Sequence, residues 1–181
     1  MQGTRDQKNA LAARGYWQAF QKVKMSVSEI FENQDSGKIV TRDLSVWHQE
    51  MFMPCVMAGI IKPSDIVGYR NSQVYIRNSM HTPLNHDALP DAMTTLFELL
   101  REEKDASVRA VLGHFLFTYI HPFMDGNGRI GRFLMNVMFA SGGYDWVIIP
   151  VDKRDAYMNA LEKASVQGDI KPFAKFISSL T

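Results

Sequence analysis

The chain has 181 residues, of which 46% are hydrophobic and 22% are charged, and its formal net charge is +1. That length fits one domain, or one domain with a short extension, and the composition can bury a full core without disulfides or metals. A net charge this close to zero argues against a nucleic-acid partner or a membrane surface. The single cysteine, Cys55, excludes an internal disulfide and is compatible with a reducing compartment.

Signals for export or membrane insertion are absent from the sequence. No apolar run approaches the ~20 residues that span a bilayer, and the polar segment 1–9 lacks an apolar secretion core. We therefore expect a soluble, cytoplasmic protein. A bacterial effector exported by a specialised machine would show the same features.

The first part of the chain has strong helical periodicity. Apolar residues recur at helical spacing and predict a long first helix over residues 6–33, which the polar segment 34–37 then breaks. We accordingly divide the chain into an N-terminal helical extension, residues 1–40, and a main domain, residues 41–181, which together form one compact domain overall.

A second helix and a short β-element are predicted next. Thr41 is a plausible N-cap for a helix that continues through Met53, and Pro54 should kink or end it. Residues 68–76 place β-forming side chains on either side of a polar turn, which predicts a small hairpin in an otherwise helical protein.

The remaining predicted elements are helices. Residues 108–120 are apolar nearly all round, which indicates a helix buried at the centre of a bundle. His114 lies in this helix, too far from His121 for an i,i+4 metal pair, and we expect it to be packed or hydrogen-bonded. Amphipathic helices on either side are marked by Met93, Leu96, Phe97 and Leu100; by Ile130, Phe133, Leu134, Val137 and Met138; by Tyr157, Leu161 and Ala164; and by Phe173, Phe176, Ile177 and Leu180.

One loop, residues 121–132, carries the features of an anion site. It reads His-Pro-Phe-Met-Asp-Gly-Asn-Gly-Arg-Ile-Gly-Arg and joins the buried helix to the next one. Residues 126–128 are small and stand where a helix begins, so their unpaired backbone N–H groups can approach an anion closely. Arg129 and Arg132 share a face of the same first turns and add bidentate donors for phosphate oxygens.

Two further residues of this loop indicate a reaction rather than binding alone. Asp125 is a hard oxygen ligand of the kind that a Mg²⁺ bridging phosphates requires. His121 titrates near neutrality and can take a proton from an attacking hydroxyl. The combination predicts transfer of a phosphorus-containing group.

Other interpretations of these residues are available. Singly, a histidine at a helix end is a common cap, an aspartate before glycine is common turn chemistry, and two arginines can be a solvated face. Gly126-x-Gly128-x-x-Gly131 also matches the dinucleotide-binding fingerprint, which needs a preceding strand and a parallel sheet. The segment before it is helical instead, and the zinc and phosphate-loop patterns are absent.

The pattern His121-Pro-Phe-x-Asp125-Gly-Asn127-Gly-Arg129-x-x-Arg132 resembles the signature of the Fic family at every defining position. The similarity extends over residues 44–180. It includes residues 68–76, which resemble the family's flap, and a closing pattern in residues 154–173. The resemblance implies an all-α fold, the Fic helical bundle with one small β-hairpin.

The resemblance also implies an activity, namely transfer of AMP from ATP to a Ser, Thr or Tyr hydroxyl of a target protein. His121 would be the general base and Asp125 the Mg²⁺ ligand. Gly128 stands where the kinase-like Doc toxins have Lys, which favours nucleotidyl transfer. Transfer of UMP, GMP or phosphate, and a nucleotide-binding regulator without transfer activity, are the alternatives.

The remaining roles also come from the resemblance. The phosphates would be held by Gly126, Asn127, Gly128, Arg129 and Arg132. The flap residues Val74, Tyr75 and Ile76 would cover the nucleotide and hold the target segment by strand addition. The adenine side would be lined by Tyr157, Met158 and Ser165, with Ser165 standing where close relatives have Asn.

Many Fic enzymes are inhibited by a glutamate in a Ser/Thr-x-x-x-Glu-Gly/Asn motif. Residues 28–33 fit that pattern through Ser28 and Glu32. They lie too close to the flap, so we interpret the match as chance. The inhibitory helix would then be missing from this chain or supplied by an inhibitory partner, and a homodimer is also compatible with the sequence.

Overall fold

The computed structural model describes residues 4–33 and 35–181. Residues 1–3 of the polar N-terminal segment, Gln34 of the predicted break and the side chain of Asn33 lie outside this description. The described ranges contain α1 (Arg5–Asn33), α2 (Ser36–Met57), α3 (Leu89–Glu102), α4 (Ala106–Ile120), α5 (Asn127–Ser141), α6 (Arg154–Gln167) and α7 (Lys171–Ser178), with 3-10 helices at Pro63–Ile66, His86–Ala88 and Val151–Lys153. No strand occurs in them, which confirms the all-α prediction.

The core is built around α5, which packs against α1, α2 and α4. The long first helix and the buried helix of residues 108–120 are both confirmed. Burial of each large apolar side chain contributes about 1.5–3 kcal/mol. The largest fully buried side chains come from several helices and include Trp47, Met93, Phe117, Phe133, Phe139 and Phe173. Within the described ranges no helix has both the length and the apolarity needed to cross a membrane.

The second helix starts earlier than predicted. Asp35 is its N-cap, and the Asp35 carboxylate accepts a hydrogen bond from the Lys38 backbone N–H at 3.0 Å. Thr41 is therefore an interior residue and not the N-cap, and its hydroxyl donates to the Gly37 carbonyl at 2.8 Å. Pro54 lies inside the helix, which continues to Met57.

Polar contacts lock α1 onto α2. The Ser26 hydroxyl donates to Asp43 Oδ2 at 2.7 Å and accepts from the Trp47 indole N–H at 3.2 Å. Arg42 donates to both carboxylate oxygens of Glu29, at 3.0 and 2.6 Å. Ser26 and Trp47 are buried, so the two hydrogen bonds of the Ser26 hydroxyl also satisfy polar groups that water cannot reach.

The predicted β-hairpin is wrong as regards the strands, because residues 68–76 form bends and irregular backbone without a ladder. Their polar groups are satisfied by tertiary partners instead. The Arg70 backbone N–H donates to the Pro122 carbonyl at 2.8 Å, and its guanidinium donates to the Ser72 and Leu84 carbonyls. The Gln73 side chain donates to the Pro83 carbonyl at 3.0 Å. We call residues 68–80, which contact the motif loop through Arg70, the strap.

Candidate active site

His121 ends α4 in a left-handed backbone conformation, with φ 55° and ψ 59°. This conformation is uncommon for a residue other than glycine. It is held from both sides: the His121 N–H donates to the Phe117 carbonyl at 3.0 Å, and Arg70 Nε donates to the His121 carbonyl at 2.8 Å. Arg70 is only 4% exposed, so the turn that carries His121 rests on a buried cation.

The imidazole of His121 is arranged as a base. Its Nδ1 lies 3.2 Å from the Thr118 carbonyl oxygen. A carbonyl can only accept, so Nδ1 carries the hydrogen and Nε2 keeps a free lone pair. Burial lowers the pKa of His121 below its ordinary value, and the positive charge of Arg70 lowers it further, against the Thr118 hydrogen bond. His121 is thus neutral at physiological pH.

The start of α5 leaves two backbone donors free. Gly126 precedes the helix at φ 89°, and a Cβ there would lie 2.8 Å from Phe52 Cε2, so only glycine fits. The backbone N–H groups of Asn127 and Gly128 have no acceptor among the described residues. They stand at the positive end of the helix dipole, as a phosphate-binding site requires.

The side chain of Asn127 holds the loop together. It is 2% exposed, accepts from the Phe123 N–H at 2.9 Å through Oδ1 and donates to the Phe123 carbonyl at 2.8 Å through Nδ2. Phe123 in turn stacks on His48 with ring centroids 3.8 Å apart. Any contact of Asn127 with a phosphate would therefore come through its backbone N–H.

Asp125 and Arg129 form an ion pair beside the loop. Arg129 Nη2 lies 3.2 Å from Asp125 Oδ2, and the Arg129 guanidinium lies 5.0 Å from the centre of the Phe52 ring. The side chain of Asp125 is 75% exposed, so its carboxylate is open to solvent on the outer side. It borders a cavity of about 420 Å³ that Phe52, Tyr69 and Arg70 also line.

A smaller cavity, of about 180 Å³, lies on the other side of the loop. It brings together most of the predicted site residues, namely Ile76, His121, Gly128, Arg132, Tyr157, Met158 and Ser165. Asp125 and Arg129 do not line it, and neither do Val74, which is half-buried, and Tyr75, which is exposed. The predicted residues thus fall on both sides of one loop.

Tyr157, which lines this cavity, belongs to a buried pair of rings. Tyr157 OH lies 2.8 Å from Nε2 of His114, which is fully buried, so the prediction that His114 is a hydrogen-bonded core residue is confirmed. Arg132 Nη1 would lie 3.5 Å from a Cβ at Gly128, next to the free N–H groups. In the described part of the chain no carboxylate lies within 4 Å of Arg132. Its guanidinium is available to an anion.

Sequence reasoning missed several residues of the site. His81, Ser79 and Glu162 all line the smaller cavity, and Arg70 fixes the turn of His121. Arg70 was assigned only to the flap, and His81 has no spacing relation to any other motif. What marks these residues as part of the site is the burial of a charged side chain or a tertiary contact. Neither property can be predicted from local sequence.

Two buried histidines predict a pH-dependent stability. Burial lowers the pKa of both His48 and His114 from 6.5 to about 4. Unfolding lets each take up a proton that the folded state excludes, so stability is full above about pH 6.5 and falls as the pH drops towards 4. We expect the free energy of unfolding to be about 2 kcal/mol lower per histidine at pH 5 than at pH 7.

Urea denaturation at the two pH values measures this loss. The window lies above the range in which carboxylates titrate, so they contribute little. The variant His48→Gln should lose less stability than the wild type over the same interval. Equal stability of the wild-type chain at pH 7 and pH 5 would contradict the assignment.

Comparison with known proteins identifies the family of this chain. A sequence model described as the Fic/DOC family matches residues 38–139, more than half of the chain. The chain belongs to the Fic/DOC family.

Curated relatives carry a more specific name. The protein adenylyltransferase Fic of Drosophila willistoni is 34% identical over 148 residues, which cover 80% of this chain and 28% of the relative. That of Drosophila mojavensis is 37% identical over 127 residues, covering 68% and 25%. The chain thus spans less than a third of the length of these relatives.

Solved structures share the fold. Fic-1, residues 134–508, from C. elegans aligns with 99% of this chain and 50% of its own, with a TM-score of 0.78 and 23% identity. The BepC protein of Bartonella tribocorum, a VirB-translocated effector with bound AMPPNP, aligns with 95% of this chain and 86% of its own, at a TM-score of 0.62 and 14% identity.

Proposed function

We propose that this protein transfers AMP from ATP to a Ser, Thr or Tyr hydroxyl of a target protein. The observation that carries the proposal is the neutral His121 on the wall of a cavity that also holds Arg132 and the start of α5. The relatives named protein adenylyltransferase Fic support the same activity.

The chemistry follows from the free lone pair of His121. Nε2 accepts the proton of the target hydroxyl while the hydroxyl oxygen attacks the α-phosphorus of ATP. A new phosphorus–oxygen bond forms, the bond to the β-phosphate bridging oxygen breaks, and pyrophosphate leaves. General-base catalysis of this kind contributes about 10²–10⁴-fold to a rate. The Nδ1–H bond to Thr118 holds the ring in the tautomer that this step needs.

The nucleotide would occupy both sides of the loop. We place the adenosine in the 180 Å³ cavity between Tyr157, Met158 and Ser165. The phosphates would cross the start of α5, where the free N–H groups of Asn127 and Gly128 and the guanidiniums of Arg129 and Arg132 are donors. The Gly126 N–H donates to Asp125 Oδ1 at 2.6 Å instead. The bound AMPPNP in BepC supports an adenine nucleotide as the ligand.

Asp125 is our proposed ligand for Mg²⁺. In the described ranges no three His, Cys, Asp or Glu side chains cluster as a metal cage. Mg²⁺ bound to a nucleotide does not need one, because one or two carboxylates, the phosphates and waters complete its shell. The largely exposed carboxylate of Asp125 fits this role, and the metal would neutralise phosphate charge there.

The flap residues would receive the target. We propose that the target segment adds as a strand along Val74, Tyr75 and Ile76, which have no strand partner in the described ranges. Tyr75 is 79% exposed and Ile76 reaches the cavity, so this edge joins the protein surface to the nucleotide.

The organisation of the whole chain is also proposed here. We regard residues 1–40 as an extension of a Fic domain at residues 41–181, in line with the start of the family match at residue 38. We also place the protein in the cytoplasm, because a single cysteine suits a reducing compartment. Control by an inhibitory partner is the form of regulation that we propose.

ATP labelled separately at the α- and γ-phosphate tests the function. The chain is incubated with a cell lysate as a source of protein targets, and labelled proteins are identified by mass spectrometry. We expect label from the α-phosphate only, with a mass increase of AMP on a hydroxyl residue. Label from the γ-phosphate only would identify a kinase, and label from neither would favour a nucleotide-binding regulator.

Glu32 is not expected to inhibit the reaction. It is exposed near the end of α1, and the adjacent Phe31 lines a cavity together with Ser141, at the far end of α5. Ser141 lies nine residues after Arg132, or about 13 Å along the helix. We expect Glu32→Gly to change AMP transfer by less than twofold.

Self-modification with α-labelled ATP measures the effect of Glu32→Gly. The matched control is Glu29→Gly, which removes another carboxylate from α1 and breaks its ion pair with Arg42 of α2. A tenfold rise, equivalent to about 1.4 kcal/mol of relieved inhibition, would show that Glu32 reaches the site.

A further inference from the structure

Glu162 links α6 to Ser79 and Met80 at the proposed nucleotide cavity. It lies on α6, the helix that also carries Tyr157, Met158 and Ser165. Its Oε2 accepts from the Ser79 hydroxyl at 2.5 Å, and its Oε1 accepts from the Met80 backbone N–H at 2.7 Å. Both oxygens of one carboxylate are thus used to hold the end of the strap.

The same end of the strap is fixed to α4 as well. The Ser79 hydroxyl accepts from the His81 N–H at 3.0 Å, and His81 Nε2 donates to the Tyr119 carbonyl at 2.9 Å. The His81 ring stacks on Tyr119 with centroids 4.1 Å apart. Arg70 fixes the other end of the strap to the motif loop.

Between these two attachments the strap makes two further side-chain hydrogen bonds, from Gln73 to the Pro83 carbonyl at 3.0 Å and from the Ser72 hydroxyl to Met124 Sδ at 3.5 Å. A turn closed by the Ser79 N–H and the Ile76 carbonyl, 3.2 Å apart, precedes the carboxylate contact, and Asn78 adopts φ 60° in it. Arg77, Asn78 and Met80 are all exposed. The position of residues 76–80 at the cavity therefore depends on the carboxylate of Glu162 together with the contacts of His81 to α4.

We propose that Glu162 is a positioning residue, which holds the strap over the nucleotide and thereby sets how long ATP stays bound. This inference rests on the proposed nucleotide site. Charge-assisted hydrogen bonds are about twice as strong as neutral ones, so a single carboxylate that accepts two of them can fix a segment otherwise lacking regular structure. The residue does not touch the reacting atoms.

Two variants test the proposal. Glu162→Ala removes both acceptors and is expected to raise the dissociation constant of a non-hydrolysable ATP analogue about tenfold, or about 1.4 kcal/mol. The KM for ATP should rise in proportion, with kcat changed by less than about threefold. Glu162→Gln keeps one acceptor and should restore part of the affinity. Asp155→Ala, which removes an exposed carboxylate from the same helix, is the control.

Hydrogen exchange without nucleotide separates this inference from the proposed function. In Glu162→Ala and Glu162→Gln the amides of residues 74–80 should exchange faster than in the wild type, while those of α6 should not change. If exchange is faster in the variants but the wild type does not bind ATP, the contact between Glu162 and the strap stands, and its role in nucleotide binding is overturned. Unchanged exchange and unchanged affinity in both variants would overturn the proposal altogether.

Discussion

Replacing His121 by alanine is expected to lower the rate of AMP transfer by about 10²–10⁴-fold, the usual contribution of a general base. Nucleotide affinity should change by less than twofold, because the proposed phosphate contacts come from α5 and not from this ring. The measurement is transfer from α-labelled ATP together with calorimetric titration of an ATP analogue. A variant that keeps more than a tenth of the wild-type rate would remove His121 from the role of base.

The same residue predicts a pH profile. Burial and the nearby Arg70 lower the pKa of His121, and only the neutral imidazole can accept a proton. The decline of transfer by the wild type at acidic pH should therefore begin at a lower pH than an unperturbed imidazole, with its pKa of about 6.5, would give. His86→Ala is the matched control, since His86 lies on the short 3-10 helix before α3 and pairs with Asp87.

Loss of Arg132 is the second change with a large expected effect. Arg132→Ala should lower kcat/KM for ATP by about 10²–10³-fold, because donors that meet charge developing in the transition state contribute on this scale. Arg132→Lys should recover only part of this, since an ammonium cannot donate in a bidentate fork. Steady-state kinetics with varied ATP measure both variants.

The control for Arg132 is Arg154→Ala, which removes an exposed guanidinium from the start of α6. Melting temperatures of all three variants show whether a lost activity reflects unfolding. A folded Arg132→Ala variant with wild-type kinetics would mean that the triphosphate is held elsewhere.

The helices could be predicted from the sequence because their apolar residues follow a local period. The limits of α2 could not, because Asp35 and Gly37 suggest a turn, whereas Asp35 caps the helix directly. The hairpin failed for a different reason. Val74, Tyr75 and Ile76 favour extended backbone, but a strand also needs a partner, and Arg70 takes the neighbouring backbone groups into tertiary contacts.

The residues of the site also differ in how far the sequence predicts them. His121, Asp125 and Arg132 stand in one contiguous motif, so the sequence predicts their proximity directly. The contacts of Glu162 with Ser79 and Met80 span more than 80 positions and depend on how α6 lies against the strap. Asn127 shows a third case, because the motif predicts its position at the phosphate site but cannot show that its side chain is bound within the loop.

The burial of α1 has a practical consequence for any shortened version of this chain. Ala19, Val23 and Ile30 lie in the same core as α5, and Ser26 accepts the indole N–H of the fully buried Trp47. A fragment that starts at residue 38, where the family match begins, would expose this tryptophan and a broad apolar face to water. Such a fragment should aggregate on expression, so truncations meant for crystallisation or activity assays need to keep the first helix.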